Sequence, residues 1–189
     1  KSHLLLTTIA AVLLVGCGGA NIALIKAAKD GDIEAVKRHL AAGANVNAKD
    51  MKGKVKKYPY QNGWTALHHA SQAGHKEIVQ LLIGKGADAN AKAPKSSGGH
   101  TPIDLTGEHP EITELLHKHG SKHSRIHSAV SVGYVEAVRD CLDAGMDVNK
   151  KLPNGDTPLD KAISNGHTEA ADLLRKHGGK TATELWQNR

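Results

Sequence analysis

The chain has few of the residues that usually build a large globular core. None of its 189 residues is phenylalanine, 3% are aromatic and two are cysteines. Two cysteines exclude a disulfide-stapled scaffold, and the scarcity of rings leaves alanine, leucine, isoleucine and valine to form the core. The 20 glycines indicate many regular turns, so the composition is typical of small, closely stacked helices.

A strong excess of one charge is also missing. Lysine and arginine number 25 against 19 acidic residues, a formal net charge of +6. That mild excess favours acidic partners or anionic headgroups, but it is too weak to indicate nucleic-acid binding. We therefore expect no nucleic-acid partner.

The longest uncharged apolar run is short and stands near the start, from Leu4 to Val15. A membrane-spanning helix needs about 20 residues, whereas the apolar segment of an export signal is shorter and follows a positive charge. Lys1 supplies that charge. The run predicts that residues 1–16 are a signal peptide.

The end of this segment, Leu14-Val15-Gly16-Cys17, resembles the lipobox of bacterial lipoproteins. The resemblance implies cleavage after Gly16 and a diacylglycerol on the Cys17 thiol, with residues 17–21 as a lipidated tether. It implies a protein of the bacterial cell envelope, anchored by lipid and facing the periplasm or the cell surface. An ordinary secretory signal with an incidental cysteine is the alternative.

One phrase recurs five times in the rest of the chain: a small-residue turn, an apolar helix that begins after a glycine, then a second glycine and a short loop. A period near 33 with local insertions and deletions indicates a repeat array. The copies span residues 27–50, 69–92, 105–122, 129–151 and 162–180, and their loop glycines are Gly43, Gly86, Gly120, Gly145 and Gly178.

Each copy has the pattern of two antiparallel helices. Ile33, Val36 and Leu40 share one face of the second helix in the first copy. First helices are expected to start at threonines, in two cases followed by proline, which a first helical turn tolerates. These threonines are Thr65, Thr101 and Thr157.

The segment GWTALHHASQAGHKEIVQLLIGKGADANAK, residues 63–92, resembles ankyrin repeats, and the likeness covers residues 22–180. It implies an all-α fold, a solenoid of about five helix-turn-helix repeats with short β-hairpin fingers. It also implies a non-enzymatic protein–protein interaction module. We therefore expect no catalytic residues, no cofactor and no metal, and a monomer that binds a protein partner.

The chain departs from the family's pattern in three places. Residues 51–62 lengthen the first finger by about ten residues, and residues 105–110 shorten the helix junction of copy three. The connection from Gly120 to the next first helix is nine residues where the one from Gly145 is seventeen. We expect the array to continue with a kink near residues 120–126, and an independent second lobe is the alternative.

The remaining residues, 181–189, are predicted to form a C-terminal cap helix, because Thr181 and Glu184 have the spacing of a capping box. The nearby Gly179-Lys180-Thr181 resembles the end of a phosphate-binding loop, but Leu174 stands where that motif requires glycine. We therefore reject a nucleotide site.

Histidines are the other candidates for chemistry. His119 lies at a helix C-terminus, where the helix dipole favours it, and Cys141 beside Leu142 is expected to be a buried small hydrophobe. A metal-dependent or catalytic role is therefore a minor alternative. The clustered histidines are His117, His119, His123 and His127.

The strongest single feature is a run of lysines that we call the basic finger. We hypothesise that this finger contacts an acidic protein surface or anionic headgroups, and that its aromatic residues anchor the contact. The alternative is that the finger is a solvated loop without a partner. Its local charge is +4, from Lys49, Lys52, Lys54, Lys56 and Lys57 against Asp50, and its aromatic residues are Tyr58, Tyr60 and, at its base, Trp64.

The ankyrin resemblance implies partner contacts at finger tips and on exposed faces of first helices, a set that we call the partner surface. Solvated surface is the alternative for each position. An inhibitor or immunity-type protein that blocks a periplasmic enzyme is the alternative function. The positions are Lys49, Trp64, Gln72, Ala73, Lys92, His100, Ser131, Val132, Lys151, Asn154, Asp156, Ser164 and Asn165.

Overall fold

The computed structural model describes residues 17–50 and 63–187. They form paired helices in two compact units, which divide between Asp88 and Ala89. The α-helices of the first unit are α1 (Cys17–Asp30), α2 (Ile33–Ala41), α3 (Ala66–Ala73) and α4 (Lys76–Gly84). Those of the second unit are α5 (Pro110–Lys118), α6 (Ile126–Val132), α7 (Val135–Asp143), α8 (Pro158–Ser164), α9 (Thr168–Lys176) and α10 (Ala182–Gln187).

Residues 17–21, which we expected as a tether, are the first turns of α1. The alanine-rich sequence of this helix favours the helical state, and packing of its inner side stabilises it, since Leu24 and Ala28 are fully buried. The signal peptide itself, residues 1–16, lies outside the described residues. No helix in the described part of the chain is both long and apolar enough to cross a bilayer.

The first helices of copies two, three and five start at Thr65, Thr101 and Thr157, as the sequence predicts, whereas that of copy four follows Arg125. At Thr157 the side chain accepts the Asp160 N–H at 3.2 Å, while the Asp160 carboxylate accepts the Thr157 N–H at 2.9 Å. This reciprocal pair is a capping box, and it supplies partners for backbone N–H groups that a helix start leaves unpaired. The same arrangement occurs at Thr65 with His68 and at Thr101 with Asp104.

Copy three has only a single turn of 3₁₀ helix, Pro102–Leu105, as its first helix. Thr106 follows at once and is buried, with its hydroxyl 2.6 Å from the Thr113 hydroxyl and 3.0 Å from the Ile103 carbonyl. The shortened junction that the sequence predicts therefore costs this copy a full first helix. A second 3₁₀ turn, Lys95–Ser97, lies in the loop before it.

The core consists of the residue types that the composition predicts. In the described residues the buried apolar side chains are alanine, leucine, isoleucine and valine, apart from Trp64 and Cys141. In α2 only Val36 of the expected face is fully buried, whereas Ile33 and Leu40 are half-buried. Small side chains let the helices approach closely, so the core remains compact without phenylalanine.

Loop asparagines that sequence inspection missed join consecutive copies. Asn149 donates its amide N–H to the Gly178 carbonyl at 3.1 Å, and its amide oxygen accepts the Lys180 N–H at 2.8 Å. Asn47 and Asn90 repeat this double bond to the loop one copy further on. The sequence does contain a pattern that predicts these contacts, because each of the three asparagines is the fourth residue after a loop glycine.

Two histidines join copies in another way. The His167 ring packs against Gly133 in the preceding copy, and its Nε2 donates to the Ser131 carbonyl at 3.2 Å. His75 does the same with Gly31 and the Lys29 carbonyl, at 3.3 Å. We call the glycine and the carbonyl two residues before it a ring seat.

Glycine is required in both seats. Gly31 and Gly133 have φ of +80° and +74°, a conformation that other residues adopt at a cost. An added Cβ would also lie 2.7 Å from the His75 ring and 2.5 Å from the His167 ring. His75 and His167, which follow Gly74 and Gly166 at the starts of α4 and α9, therefore join repeats as well as begin helices.

The fingers are shown only in part. Lys49 and Thr65 form an isolated antiparallel bridge at the base of the first finger, and the described residues contain no longer strand. The β-hairpin fingers therefore remain a prediction.

Candidate functional site

The structure brings several partner-surface residues of the second unit together where α6 and α8 end. The Asn165 amide donates to the Ser131 carbonyl at 3.2 Å, and the Ser164 hydroxyl donates to the Lys161 carbonyl at 3.1 Å. Ser164 and Asn165 are exposed, and Ser131 and Val132 are half-buried. The ends of these two first helices are thus joined directly and carry exposed polar groups.

The loop between copies four and five supplies three more positions. The Asn154 amide donates to the Asp156 carboxylate at 2.7 Å, and the Asp156 N–H donates back to the Asn154 oxygen at 3.2 Å, so this turn is internally fixed. The Lys151 ammonium lies 5.6 Å from the centre of the Trp186 ring, a cation–π distance. Trp186 is itself 68% exposed.

The other predicted positions are spread over both units. Lys49, Gln72 and Ala73 are exposed in the first unit, and Lys92 is exposed in the second. His100 is half-buried, and burial followed by the charge of Arg125 lowers its pKa. The finger residues Lys52, Lys54, Lys56, Lys57, Tyr58 and Tyr60 lie outside the described residues, and Cys17 is the first residue of α1.

Trp64 is not on the surface where we expected it. Only 3% of it is exposed, and its ring stacks on His68 at 5.9 Å and tilts against His69 at 5.2 Å. The packing of α3 beneath the finger base buries the indole, which proximity to lysines in the sequence does not predict. Trp64 is therefore part of the core of the first unit.

The clustered histidines separate into pairs with carboxylates and a buried ring. His117 Nε2 lies 3.1 Å from the Asp140 carboxylate, and His123 Nδ1 lies 3.1 Å from the Asp104 carboxylate. His127 is buried, which lowers its pKa. Across residues 17–50 and 63–187 no three histidine, cysteine, aspartate or glutamate side chains converge to hold a metal ion.

Asp104 is the most highly connected of these side chains. Its carboxylate accepts hydrogen bonds from the Thr101 N–H and hydroxyl, the Ser124 N–H and hydroxyl, and His123. The Asp104 and His123 side chains are 0% and 1% exposed. Burial by itself raises the pKa of Asp104, but the bonds from His123, Ser124 and Thr101 outweigh it and lower that pKa to about 2.

A cleft of about 680 Å³ lies beside this pair, between α5 and α7. Its volume is in the range of ligand-binding clefts. His123 and Cys141 are among the buried residues that line it. Burial raises the pKa of the Cys141 thiol to about 12, so the thiol is neutral and unreactive. His123 Nε2 has no hydrogen-bond partner among the described residues. The rim carries Lys92, Lys122, His117 and Asp140.

The loop after Gly120, which borders the cleft, lacks the asparagine that joins the other loops. In copies one, two and four an asparagine follows the loop glycine by four residues and binds the next loop. In copy three Ser124 takes that place, and its hydroxyl donates to Asp104 instead. The loop thus lies against the 3₁₀ turn beside α5.

Comparison with known families agrees with this architecture. The family model for ankyrin repeats (3 copies) matches residues 24–125, and the model for ankyrin repeats (many copies) matches residues 126–175. The chain therefore belongs to the ankyrin repeat family. Ankyrin repeats generally serve as protein-interaction scaffolds, and ankyrin repeat domains are generally non-enzymatic.

The chain is similar to parts of several larger eukaryotic proteins. It is 29% identical to the mitochondrial disaggregase of Bos taurus over 182 residues, 88% of this chain and 25% of the relative. It is 34% identical to the B-cell lymphoma 3 protein homolog of Mus musculus over 131 residues, 64% and 28% of the two chains. Over 85 residues, 45% of this chain and 10% of the relative, it is 38% identical to the 2-5A-dependent ribonuclease of Homo sapiens. The chain thus spans between 10% and 28% of the length of these relatives.

Proposed function

We propose that the protein is a binding module of the bacterial cell envelope, which recognises a protein partner through the partner surface of its second unit. The observation that carries this proposal is the junction of α6 and α8. There the Asn165 amide donates to the Ser131 carbonyl of the preceding repeat, and the Ser164 hydroxyl donates to the Asn165 amide oxygen. A partner that crosses this junction meets exposed polar groups that are already ordered, which lowers the entropic cost of binding.

The cleft between α5 and α7 extends the same function to a second contact. A partner side chain that enters it meets both charges at the rim, from Lys92 and Lys122 on one wall and Asp140 on the other. A mixed rim favours a polar side chain over a large apolar one. In this proposal the cleft adds specificity, and the α6–α8 junction supplies the main contact.

The envelope location rests on sequence alone. The apolar run before Cys17, with the Leu-Val-Gly-Cys motif at its end, supports export and lipidation, and two acyl chains anchor a protein stably. Because Cys17 is the first residue of α1, a lipid on Cys17 would hold this helix directly at the membrane, and in this proposal the basic finger lies near the headgroups. Its five lysines would add attraction to anionic lipid, worth about 1 kcal/mol each near the surface.

A capture experiment tests partner recognition. The tagged full chain is incubated with detergent-solubilised bacterial envelope and compared with the double variant Asn154→Arg/Ser164→Arg, which places bulk and charge on the partner surface. We expect a stoichiometric partner that the wild-type chain retains and the variant loses. The control is Arg139→Glu/Lys176→Glu, because both residues are exposed on second helices and lie outside the surface.

Two results would contradict the proposal: no stoichiometric partner, or equal capture by the surface variant and the wild-type chain. If each variant has the melting temperature of the wild-type chain, loss of partner capture results from the changed surface and not from unfolding. A single enzyme among the captured proteins, inhibited by the chain, would favour the inhibitor function over a scaffold.

A separate measurement tests the anchor and the finger. Mass spectrometry of the protein from bacterial membranes is expected to find a diacylglyceryl group on Cys17, and an unmodified Cys17 would refute the anchor.

Replacing the five finger lysines with serine is expected to weaken binding to vesicles with 30% phosphatidylglycerol by about tenfold or more. The replaced residues are Lys49, Lys52, Lys54, Lys56 and Lys57. Unchanged vesicle and partner binding would refute a contact role for the finger.

A further inference from the structure

The first helix of copy four starts differently from the other first helices of the second unit. Threonine precedes those of copies three and five, whereas Arg125 precedes α6, and its side chain makes no capping hydrogen bond there. The guanidinium donates instead to the Gly98 carbonyl, between the two 3₁₀ turns. A position that gives up a local stabilising contact is often a functional one. Arg125 is therefore a candidate binding residue.

Gly98, His100 and Arg125 pack together, and we call these three residues the Arg125 site. Gly98 has a left-handed backbone, with φ of +89°. A Cβ added there would lie 2.6 Å from Cδ2 of His100 and 3.5 Å from Nη2 of Arg125, so the ring and the guanidinium both lie against this glycine. Arg125 is exposed and His100 is half-buried. The bond to the Gly98 carbonyl fixes the guanidinium through one of its N–H groups, so the other N–H groups can bind a ligand.

The site is positively charged. Burial lowers the pKa of His100 and of His127, and the charge of Arg125 lowers each further, which indicates that the guanidinium lies close to both rings. The carboxylates that face these rings are Asp104 at His100 and Asp156 at His127. In the described part of the chain no carboxylate forms an ion pair with Arg125. The guanidinium is therefore a positive charge that no direct pairing within this part of the chain neutralises.

The Arg125 site and the α6–α8 junction lie at opposite ends of α6. Arg125 directly precedes this helix, and Ser131 of the junction lies near its other end. At 1.5 Å per residue the two positions are separated by about 9 Å along the helix axis. A protein interface usually includes about 20–30 residues on each side. One partner protein can therefore contact both places.

We propose that the Arg125 site binds an acidic side chain, aspartate or glutamate, of the partner protein. A guanidinium and a carboxylate match through two parallel N–H···O bonds, which makes the contact stronger and more selective than one with a lysine ammonium. His100 borders the same place and supplies a further donor when its ring is protonated. The proposal names the chemistry of one partner contact and rests on the partner recognition proposed above.

His100 is expected to make this contact pH-dependent. In the free chain burial and the charge of Arg125 lower the pKa of its ring, whereas a carboxylate bound beside the ring raises that pKa. Binding therefore takes up a proton, and we expect it to be about threefold tighter at pH 5.5 than at pH 7.5. Asp104, the carboxylate that faces the ring, stays ionised over this range because its pKa is about 2. In His100→Gln the pH dependence should be absent.

A small probe tests the site in the absence of the partner. N-acetylglutamic acid α-amide carries one carboxylate, and N-acetylglutamine α-amide is its neutral match. Each is titrated into the ¹⁵N-labelled full chain while NMR follows the arginine Nε–Hε signals. We expect only the glutamate probe to shift the Arg125 signal along a saturable curve, while the signal of Arg139, an exposed arginine on α7, stays unchanged. Tighter binding of inorganic phosphate than of the glutamate probe would overturn the proposal, because the site would then fit a phosphorylated partner.

Neighbouring glycines offer a matched pair of variants. Gly98→Ala and Gly99→Ala both place a side chain on left-handed backbone, with φ of +89° and +66°, but at Gly99 nothing lies within 4 Å of the new Cβ. Gly98→Ala should weaken binding of the glutamate probe about fivefold, the effect of one hydrogen bond, and Gly99→Ala should leave it unchanged. No binding of the probe, or binding that Gly98→Ala and Arg125→Gln leave intact, would overturn the proposal.

Partner capture tests the same contact in its context. Arg125→Gln should weaken capture about tenfold, the loss typical of a hydrogen bond to a charged group, and Arg139→Gln should not weaken it. Both variants should keep the melting temperature of the wild-type chain. Capture that Asn154→Arg/Ser164→Arg abolishes but Arg125→Gln leaves intact would overturn this proposal alone. Absence of any captured partner would overturn the partner function, while the probe titration still decides whether the site binds a carboxylate.

Discussion

Replacing Asp104 with alanine is expected to destabilise the second unit by about 3–5 kcal/mol, the loss typical of breaking a buried charged network. The carboxylate accepts hydrogen bonds from Thr101, Ser124 and His123. Its removal takes the acceptor from the Thr101 N–H and from Ser124, and His123 is left buried without its carboxylate, while the Thr101 hydroxyl keeps its bond to the Lys122 carbonyl. The network also joins copies three and four where the loop asparagine is missing, so the effect extends beyond one helix start.

Asp160→Ala is the matched control, because Asp160 holds an equivalent capping box but is less deeply buried and has no histidine partner, its further bond being from the Ala182 N–H. Loss of that cap is expected to cost about 1 kcal/mol. Urea denaturation followed by circular dichroism compares the two variants. Equal losses would contradict the account, since they would reduce Asp104 to an ordinary helix cap.

The same carboxylate predicts an acid limit for the second unit. Its pKa is held at about 2 in the folded protein, below the ordinary 3.8, so the folded state binds this proton less readily than the unfolded chain. The stabilisation is therefore complete above pH 3.8 and is lost as pH falls toward 2. In Asp104→Ala this part of the pH dependence should be absent.

His69 is expected to make the first unit sensitive to milder acid. It is 3% exposed, neither ring nitrogen has a hydrogen-bond partner among the described residues, and burial followed by the charge of Lys29 lowers its pKa from 6.5 to about 4. Between these two pH values the unfolded chain therefore binds a proton at His69 that the folded chain does not bind. Stability is complete above pH 6.5 and falls as pH drops toward 4, by on the order of 3 kcal/mol.

Trp64 reports this transition, because its ring packs on His69. In a Trp186→Phe background, its emission during urea denaturation gives the stability of the first unit at each pH. His69→Leu should flatten the dependence between pH 6.5 and 4, while the control His39→Leu, on the half-buried last turn of α2, should retain it. A dependence that survives His69→Leu would show that another group is responsible.

Local sequence signals predicted the features that depend on local geometry. Threonine starts of first helices, glycine turns and the shortened copy three all follow from backbone preferences within a few residues, and each occurs in the structure. His75 and His167 each follow a glycine at a helix start, but their contact with a glycine of the preceding copy depends on packing between repeats. The spacing within one copy does not contain that information.

The candidate site was less accessible to such reasoning. Trp64 stands next to a lysine-rich segment, which favoured an exposed anchor, yet the packing of His68 and His69 on it decides its burial. Asp104 and His123 are 19 residues apart, and only the folded loop after Gly120 makes them a pair. The cleft beside them likewise results from how copies three and four meet, which no motif encodes.

Hydrogen–deuterium exchange of the full chain, free and bound to its captured partner, tests partner recognition most directly. The account predicts protection in the second unit at the ends of α6 and α8, residues 129–132 and 162–165, and in the loop at residues 150–157. Protection confined to the outer helices α7 and α9, with these segments exchanging as in the free chain, would contradict it.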